Sequence, residues 1–172
     1  MNWHEYFFEM CDITLKKSKD NSTQVGAVIV NSDHSIISTG YNDFPRGAID
    51  EKDKLQLPEY PYRLTQFDKN KIKLIESRRE RPLKYKWTEH GERNAIYNAA
   101  RHGIALKGCE IYVHCTPISL PCCTDCTRAI IQAGLIKVHY KGVKDIPDRW
   151  KEDCEISTEM FKECGVEVVY HE

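Results

Sequence analysis

From residue 89 onward the chain alternates helix with short strand three times over. Helical spacing covers residues 90–102 and stops near Gly103, and a β-branched run follows at 110–115. A second helix at 124–133 stops near Gly134 ahead of a strand at 136–141, and a third at 148–163 stops before Gly165 ahead of a strand at 166–170. A glycine just beyond each helix is a common C-terminal stop, because it enters the left-handed conformation without a Cβ clash. Strands that alternate with helices lie side by side in one sheet, with the helices packed on its faces. Upstream, Trp3, Tyr6, Phe7, Met10, Ile13 and Leu15 recur close to helical spacing, which predicts a first helix within residues 2–18. The runs at 25–30 and 35–39, split by Asn31-Ser32-Asp33, read as a hairpin. The expected fold class is α/β, a three-layer α/β/α arrangement around a mixed five-stranded sheet.

Residues 48–86 break the pattern. They are charged and contain Pro58-Glu59-Tyr60-Pro61-Tyr62, with a helical stretch expected from 71 to 79. We read them as an insertion decorating a single domain that spans residues 1–172. The segment contains no Cys or His, so it offers no metal site of its own.

The net charge of −1, without a basic face, excludes binding dominated by many phosphates. No nucleic-acid polymer is expected as a partner, although a small anionic ligand needs only a few local donors. The N-terminus has neither the basic nor the apolar region of a signal peptide. No apolar run approaches the roughly 20 residues that cross a bilayer, so no membrane partner is expected and the location expected is cytoplasmic. In that compartment the eight cysteines stay mostly reduced, and clustered ones point to a metal or to catalysis. Cys11, Cys109, Cys115, Cys154 and Cys164 are scattered and read as buried structural thiols.

The clustered ones stand in Pro121-Cys122-Cys123-Thr124-Asp125-Cys126, at the start of one helix, and Thr88-Glu89-His90-Gly91-Glu92 opens another. Imidazole and thiolate suit Zn2+, and a Cys-x-x-Cys turn at a helix start presents both sulfurs to one ion. The positive end of the helix helps to hold the thiols ionised. Three protein ligands, His90, Cys123 and Cys126, leave a fourth position for water, the arrangement of a catalytic zinc. Glu92 is spaced to relay a proton without ligating. Either half alone is weak, since Cys-x-x-Cys also serves redox pairs and structural zinc. A structural site would need a fourth ligand, which His114 or Cys115 could supply only through folding. Together and in this order, His-x-Glu and Pro-Cys-x-x-Cys are the mark of zinc nucleobase deaminases.

With those residues the chain resembles the deoxycytidylate (dCMP) deaminases, within the cytidine deaminase-like superfamily. The likeness extends to Ser18-Lys19-Asp20, Gln24-Val25-Gly26-Ala27, Gly40-Tyr41-Asn42-Asp43-Phe44-Pro45-Arg46-Gly47, Glu92-Arg93-Asn94-Ala95-Ile96 and Ala129-Ile130-Ile131-Gln132-Ala133-Gly134. The resemblance implies a cytidine deaminase-like fold and hydrolysis of dCMP to dUMP and ammonia, which supplies thymidylate synthesis. It implies a catalytic Zn2+ that activates water for attack at C4 of cytosine, with Glu92 carrying the protons. The Gly91 N–H would meet O2 of the base, and Asn42 would hold sugar and base. Lys19 and Thr23 are candidates for the 5′-phosphate, although both also read as part of a solvated loop. Such enzymes are commonly homohexamers, activated by dCTP and inhibited by dTTP, with Mg2+ accompanying the nucleotide. Arg46, in a Pro–Gly loop suited to phosphate, is the candidate effector contact beside the insertion; it reads equally as an ordinary surface arginine.

Two positions depart from the family pattern. Gly91 stands where the family usually has Ala, and the missing methyl would leave room beside the base for 5-substituted dCMP. Pro121 precedes Cys122, whereas the family's proline directly precedes its first ligating cysteine. Choosing Cys122 would give Cys-x-x-x-Cys; Cys123 keeps the family spacing to Cys126. Other readings are a deaminase of another free cytosine compound, such as cytidine, deoxycytidine or dCTP, and a zinc-bearing relative that binds nucleotides without turnover. Retention of Glu92 speaks against the last.

Overall fold

A computed structural model describes residues 1–49, 65–143 and 146–172. Helix α1 (Trp3–Leu15) starts at a capping box in which the Asn2 side chain accepts from the Glu5 N–H and the Glu5 carboxylate accepts from the Asn2 N–H. Strands β1 (Gln24–Val30) and β2 (Ile36–Tyr41) follow as the expected antiparallel hairpin. Asn31 shapes its turn, accepting on Oδ1 from the amides of Asp33 and Ser35. Helices α2 (Gln66–Ser77) and α3 (Lys84–Trp87) come next, and α3 was not legible in the sequence. The alternation then runs α4 (Gly91–Arg101), β3 (Glu110–Thr116), α5 (Thr124–Gln132), β4 (Lys137–Lys141), α6 (Asp148–Glu163) and β5 (Glu167–His171).

The strands form one mixed sheet in the order β2-β1-β3-β4-β5. β1 pairs antiparallel with β2 and β3, whereas β3–β4 and β4–β5 are parallel. Alternation along β1 explains the layers. Val28 and Val30 face α1 and pack with Phe7, Phe8, Cys11 and Tyr112. Ala27 and Ile29 face the other way, with Ile111, Val113, Val138 and Tyr140, onto Ala95 and Ala99 of α4, Ile130 of α5 and Phe161 of α6. The three expected layers are therefore α1, the sheet, and α4 with α5 and α6. Cys11, Cys109, Cys115 and Cys154 are buried as expected, but Cys164 is exposed, because it sits in the cap that ends α6.

The chain separates into two compact units, 1–43 with 90–172, and 44–89. Within the smaller unit Arg78 stacks over the Trp87 ring at 3.8 Å and donates to the Ile49 carbonyl at 2.9 Å, while Arg79 lies over Phe44. Of the proposed insertion, residues 50–64, including the Pro58–Tyr62 motif, lie outside the described residues. No described helix is long and apolar enough to cross a membrane.

Candidate active site

Helix α4 seats unusually close to the sheet. A Cβ on Gly40 would lie 2.2 Å from the Ala95 nitrogen and 2.3 Å from the Gly91 oxygen, so the bare glycine of β2 is what admits the first turn of the helix. Side chains then fix the register: Asn94 donates to the Tyr41 carbonyl, Asn98 to the Thr39 carbonyl and Ser38 to the Ala95 carbonyl, at 2.7–2.8 Å. That seating places His90, the N-cap of α4, and Glu92 in its first turn.

Helix α5 brings the thiols. Cys123 is its N-cap, and Cys126 lies three residues on, inside the first turn. Asp153 of α6 accepts from the Thr124 amide at 3.0 Å and from its hydroxyl at 2.9 Å, supplying the cap that Cys123 does not. Arg93 of α4 pairs with Asp125 of α5 at 3.5 Å and links the two helix starts. The periodic pattern of the sequence carries no signal for Asp153, since it is one acidic residue among several along α6.

The two helix N-termini converge on one point. The donor atoms of His90, Cys123 and Cys126 lie within 4.8 Å of one another, with each sulfur 3.4 Å from His90 Nδ1. Zn–S and Zn–N bonds of ordinary length at a tetrahedral angle separate S from N by about 3.6 Å, so this set fits zinc. Neither His114 nor Cys115 joins the group among the described residues. His114 is on β3, hydrogen-bonded to Asp12 of α1. Cys122 is also outside the group: it is buried in the core beside Tyr140, whose hydroxyl accepts from its amide at 2.9 Å, and burial pushes its thiol well above the usual thiol range.

The electrostatics favour anionic sulfur at Cys123 alone, since the hydrogen bond to Cys123 and burial push the Cys126 thiol well above the usual thiol range. The Cys126 thiol beside it draws the Cys123 thiol down to about 4, against burial and with help from His90. Burial alone would lower the His90 imidazole, but the Cys123 sulfur and the Glu92 charge hold it up at about 9. Glu92 itself is buried, and its Oε2 has no hydrogen-bond partner among the described residues. A buried carboxylate oxygen left unmatched is costly unless something polar meets it there. Its place next to the His–Cys group suits a water or the polar edge of a substrate.

The other expected contacts fall in several places. Asn42 is buried, and its amide knits the end of β2 to the preceding loop. Its Oδ1 accepts from Val25 N at 2.7 Å, and its Nδ2 donates to Thr23 O at 2.8 Å and lies 3.4 Å from Asp20 Oδ2. Both amide hydrogens are thus committed to the chain itself, which makes Asn42 a clamp on the segment carrying Lys19 and Thr23. Lys19 is exposed there, and Thr23 is half-buried with its amide on Asp20 Oδ1. Arg46 is exposed in the smaller unit. The expectation for Gly91 needs correction. A Cβ there would meet Val25 Cγ1 and Val25 O at 3.1 Å and Gly40 O at 3.4 Å. The space left by the missing methyl is already taken by β1 and β2, so it opens no room for a 5-substituent.

This sheet carries, at paired helix starts, a histidine and two thiols compatible with one zinc ion. The family model for the cytidine and deoxycytidylate deaminase zinc-binding region matches residues 1–141, and the chain belongs to that family. An uncharacterized deaminase of Aliivibrio fischeri is 36% identical over 169 residues, covering 98% of this chain and 92% of its own. Human deoxycytidylate deaminase is 35% identical over 144 residues, 84% of this chain and 67% of its own. Among solved structures, the dCMP deaminase of cyanophage S-TIM5 in apo form superposes with a TM-score of 0.61 at 22% identity, over 97% of this chain and 95% of that one, which establishes the likeness of fold.

Proposed function

We propose that this chain catalyses hydrolytic deamination of dCMP to dUMP and ammonia, with His90, Cys123 and Cys126 as zinc ligands and Glu92 as the proton carrier. The observation that carries the reading is the buried, unmatched Oε2 of Glu92 beside the three-donor group. Deoxycytidylate deaminases from human and mouse, each 35% identical, support dCMP as the substrate. Bound at these donors, zinc would supply a Lewis acid able to bring the pKa of a water from about 16 to near 7.

The remaining chemistry belongs to the chain. Glu92 takes a proton from the attacking water and passes it to N3 of cytosine as the C4–O bond forms. Glu92 then takes the proton of the new C4 hydroxyl and delivers it to the exocyclic nitrogen, so that C4=O forms as the C4–N bond breaks and ammonia leaves. Gly91 opens α4, so its N–H lacks an intrahelical partner and is available to O2 of the base. Asn42 positions the segment holding Lys19 and Thr23, the candidates for the 5′-phosphate. We place dCTP activation and dTTP inhibition, with Mg2+, at Arg46, and we take the assembly to be a homohexamer of single deaminase domains, each with an insertion.

Two measurements test this. Purified zinc-loaded protein, followed by ultraviolet absorbance, should turn over dCMP at least tenfold faster than CMP, deoxycytidine or dCTP, and dCTP and dTTP should move that rate in opposite directions. No turnover of any of the four would remove the proposal. Separately, Cys123→Ser should lose the zinc of the His–Cys group, whereas Cys122→Ser should keep it; loss of that zinc from the Cys122 variant alone would exchange the two assignments.

A further inference from the structure

A second convergence of histidines lies on the opposite face of the sheet, and deamination makes no use of it. The parallel strands β4 and β5 direct alternate residues to the side where α1 packs, among them His139 and His171. His4, in the first turn of α1, meets them there, its ring centroid 5.2 Å from that of His139 and 4.7 Å from that of His171. One nitrogen from each of the three rings lies within 4.8 Å of the other two.

The hydrogen bonds around this group orient the rings inward. His139 Nε2 is 2.8 Å from Glu110 Oε2, and a carboxylate accepts, so this nitrogen carries the ring's proton and Nδ1 is left with its lone pair. That Nδ1 points to His171 Nε2 at 2.9 Å. His4 Nδ1 is 2.8 Å from the Tyr112 hydroxyl, which can accept its proton and leave Nε2 bare. The Tyr112 ring also stacks on His139 at 4.1 Å and 6° and fixes its plane. A histidine held through its outer nitrogen by a carboxylate, with its inner nitrogen facing other imidazoles, is the usual surrounding of a metal ligand. Burial lowers His139 to about 4 and lowers His171 as well, so both rings stay neutral near pH 7.

We propose that His4, His139 and His171 form a second divalent-metal site of the zinc class, with Glu110 and Tyr112 as its outer hydrogen-bond partners. Tetrahedral Zn–N bonds need about 3.3 Å between ligand nitrogens, so the His139–His171 pair opens by a few tenths of an ångström on loading. Three imidazoles without sulfur select zinc, nickel or copper rather than calcium or magnesium. Water completes the coordination at the exposed His4 side. The site ties the start of α1 to the edge strand β5, so its occupancy stabilises the fold rather than the reaction.

Metal content of the intact protein, measured by mass spectrometry after equilibration with excess Zn2+ and desalting, should give two equivalents per chain. His4→Gln and His171→Gln, both away from the deaminase centre, should each hold one equivalent and keep the dCMP turnover rate within twofold. Cys126→Ser should also hold one. In chelator-treated buffer the histidine variants should melt with the wild type, and only the wild type should gain melting temperature from the second equivalent. Co2+ titration of the wild type gives an answer independent of variant folding: one equivalent should bring thiolate charge-transfer absorption, the other only weak visible bands. A single equivalent in the wild type, two equivalents persisting in both histidine variants, or thiolate absorption from both cobalt ions would each overturn the site.

Discussion

Glu92→Gln should lower dCMP turnover by roughly 10²–10⁴-fold, the usual contribution of a positioned acid–base group, while zinc content stays at the wild-type value. The amide keeps the shape of the side chain and cannot carry protons, so the loss should fall on kcat, with KM nearly unchanged. Stability should move the other way or not at all. Glu92 is buried, and its Oε2 finds no partner among the described residues, so the isosteric amide breaks no hydrogen bond at that position. A melting temperature equal to or above that of the wild type, together with loss of turnover, is the expected pair of results. A variant that retains more than about a tenth of the wild-type rate would remove Glu92 from the proton path.

Gly40→Ala should be the most damaging single methyl in the larger unit's helix–sheet contact. Its Cβ would stand 2.2 Å from the Ala95 nitrogen and 2.3 Å from the Gly91 oxygen, and both are backbone atoms with no rotamer to give. Overpacking of this kind costs typically 1–3 kcal/mol, and contact with backbone on both sides puts it near about 3. Against a total stability of roughly 5–15 kcal/mol, that is a loss of about 6–12 °C in Tm for a chain of this size. Because the helix that must move begins at His90 and Glu92, zinc affinity and turnover should fall as well. The control is Gly103→Ala, where an added Cβ meets nothing within 4 Å but the positive φ of 66° adds strain. It should lower Tm by less and leave zinc affinity at the wild-type value. Equal effects of the two substitutions on zinc binding would show that α4 does not transmit the clash to the metal ligands.

Much of this fold is written in short-range patterns. The helices and strands from residue 90 onward sit within a residue or two of their expected limits, because hydrophobic period and glycine stops are local properties. The same holds for His90, Cys123 and Cys126, whose spacing at two helix starts needs no knowledge of the rest. What the sequence hides is what depends on who meets whom across space. Asp153 reaches the first turn of α5 from another helix, and nothing in its neighbours marks it. Gly91 reads as added room only until β1 and β2 are found filling it. Asn42 reads as a ligand contact, and its amide hydrogens face Asp20 and Thr23 in the connection before β1. His4, His139 and His171 are too far apart along the chain to suggest a group, and only the parallel pairing of β4 with β5 under α1 collects them.

The place of β1 between β2 and β3 has a consequence for how the centre is assembled in time. Its pairing with β2 closes a short hairpin, whereas pairing Gln24 with Thr116 must close a loop that contains the whole of α2, α3 and α4. Local closures form fast, and distant ones wait on chain entropy. His90 belongs to the α4 side of that long closure, and Cys123 and Cys126 follow β3 on the other. If His90, Cys123 and Cys126 hold the proposed zinc, the thiols, three residues apart in the chain, would meet an ion before the histidine does. Readily exchanged zinc would then mark a newly made chain whose central strands have not yet joined.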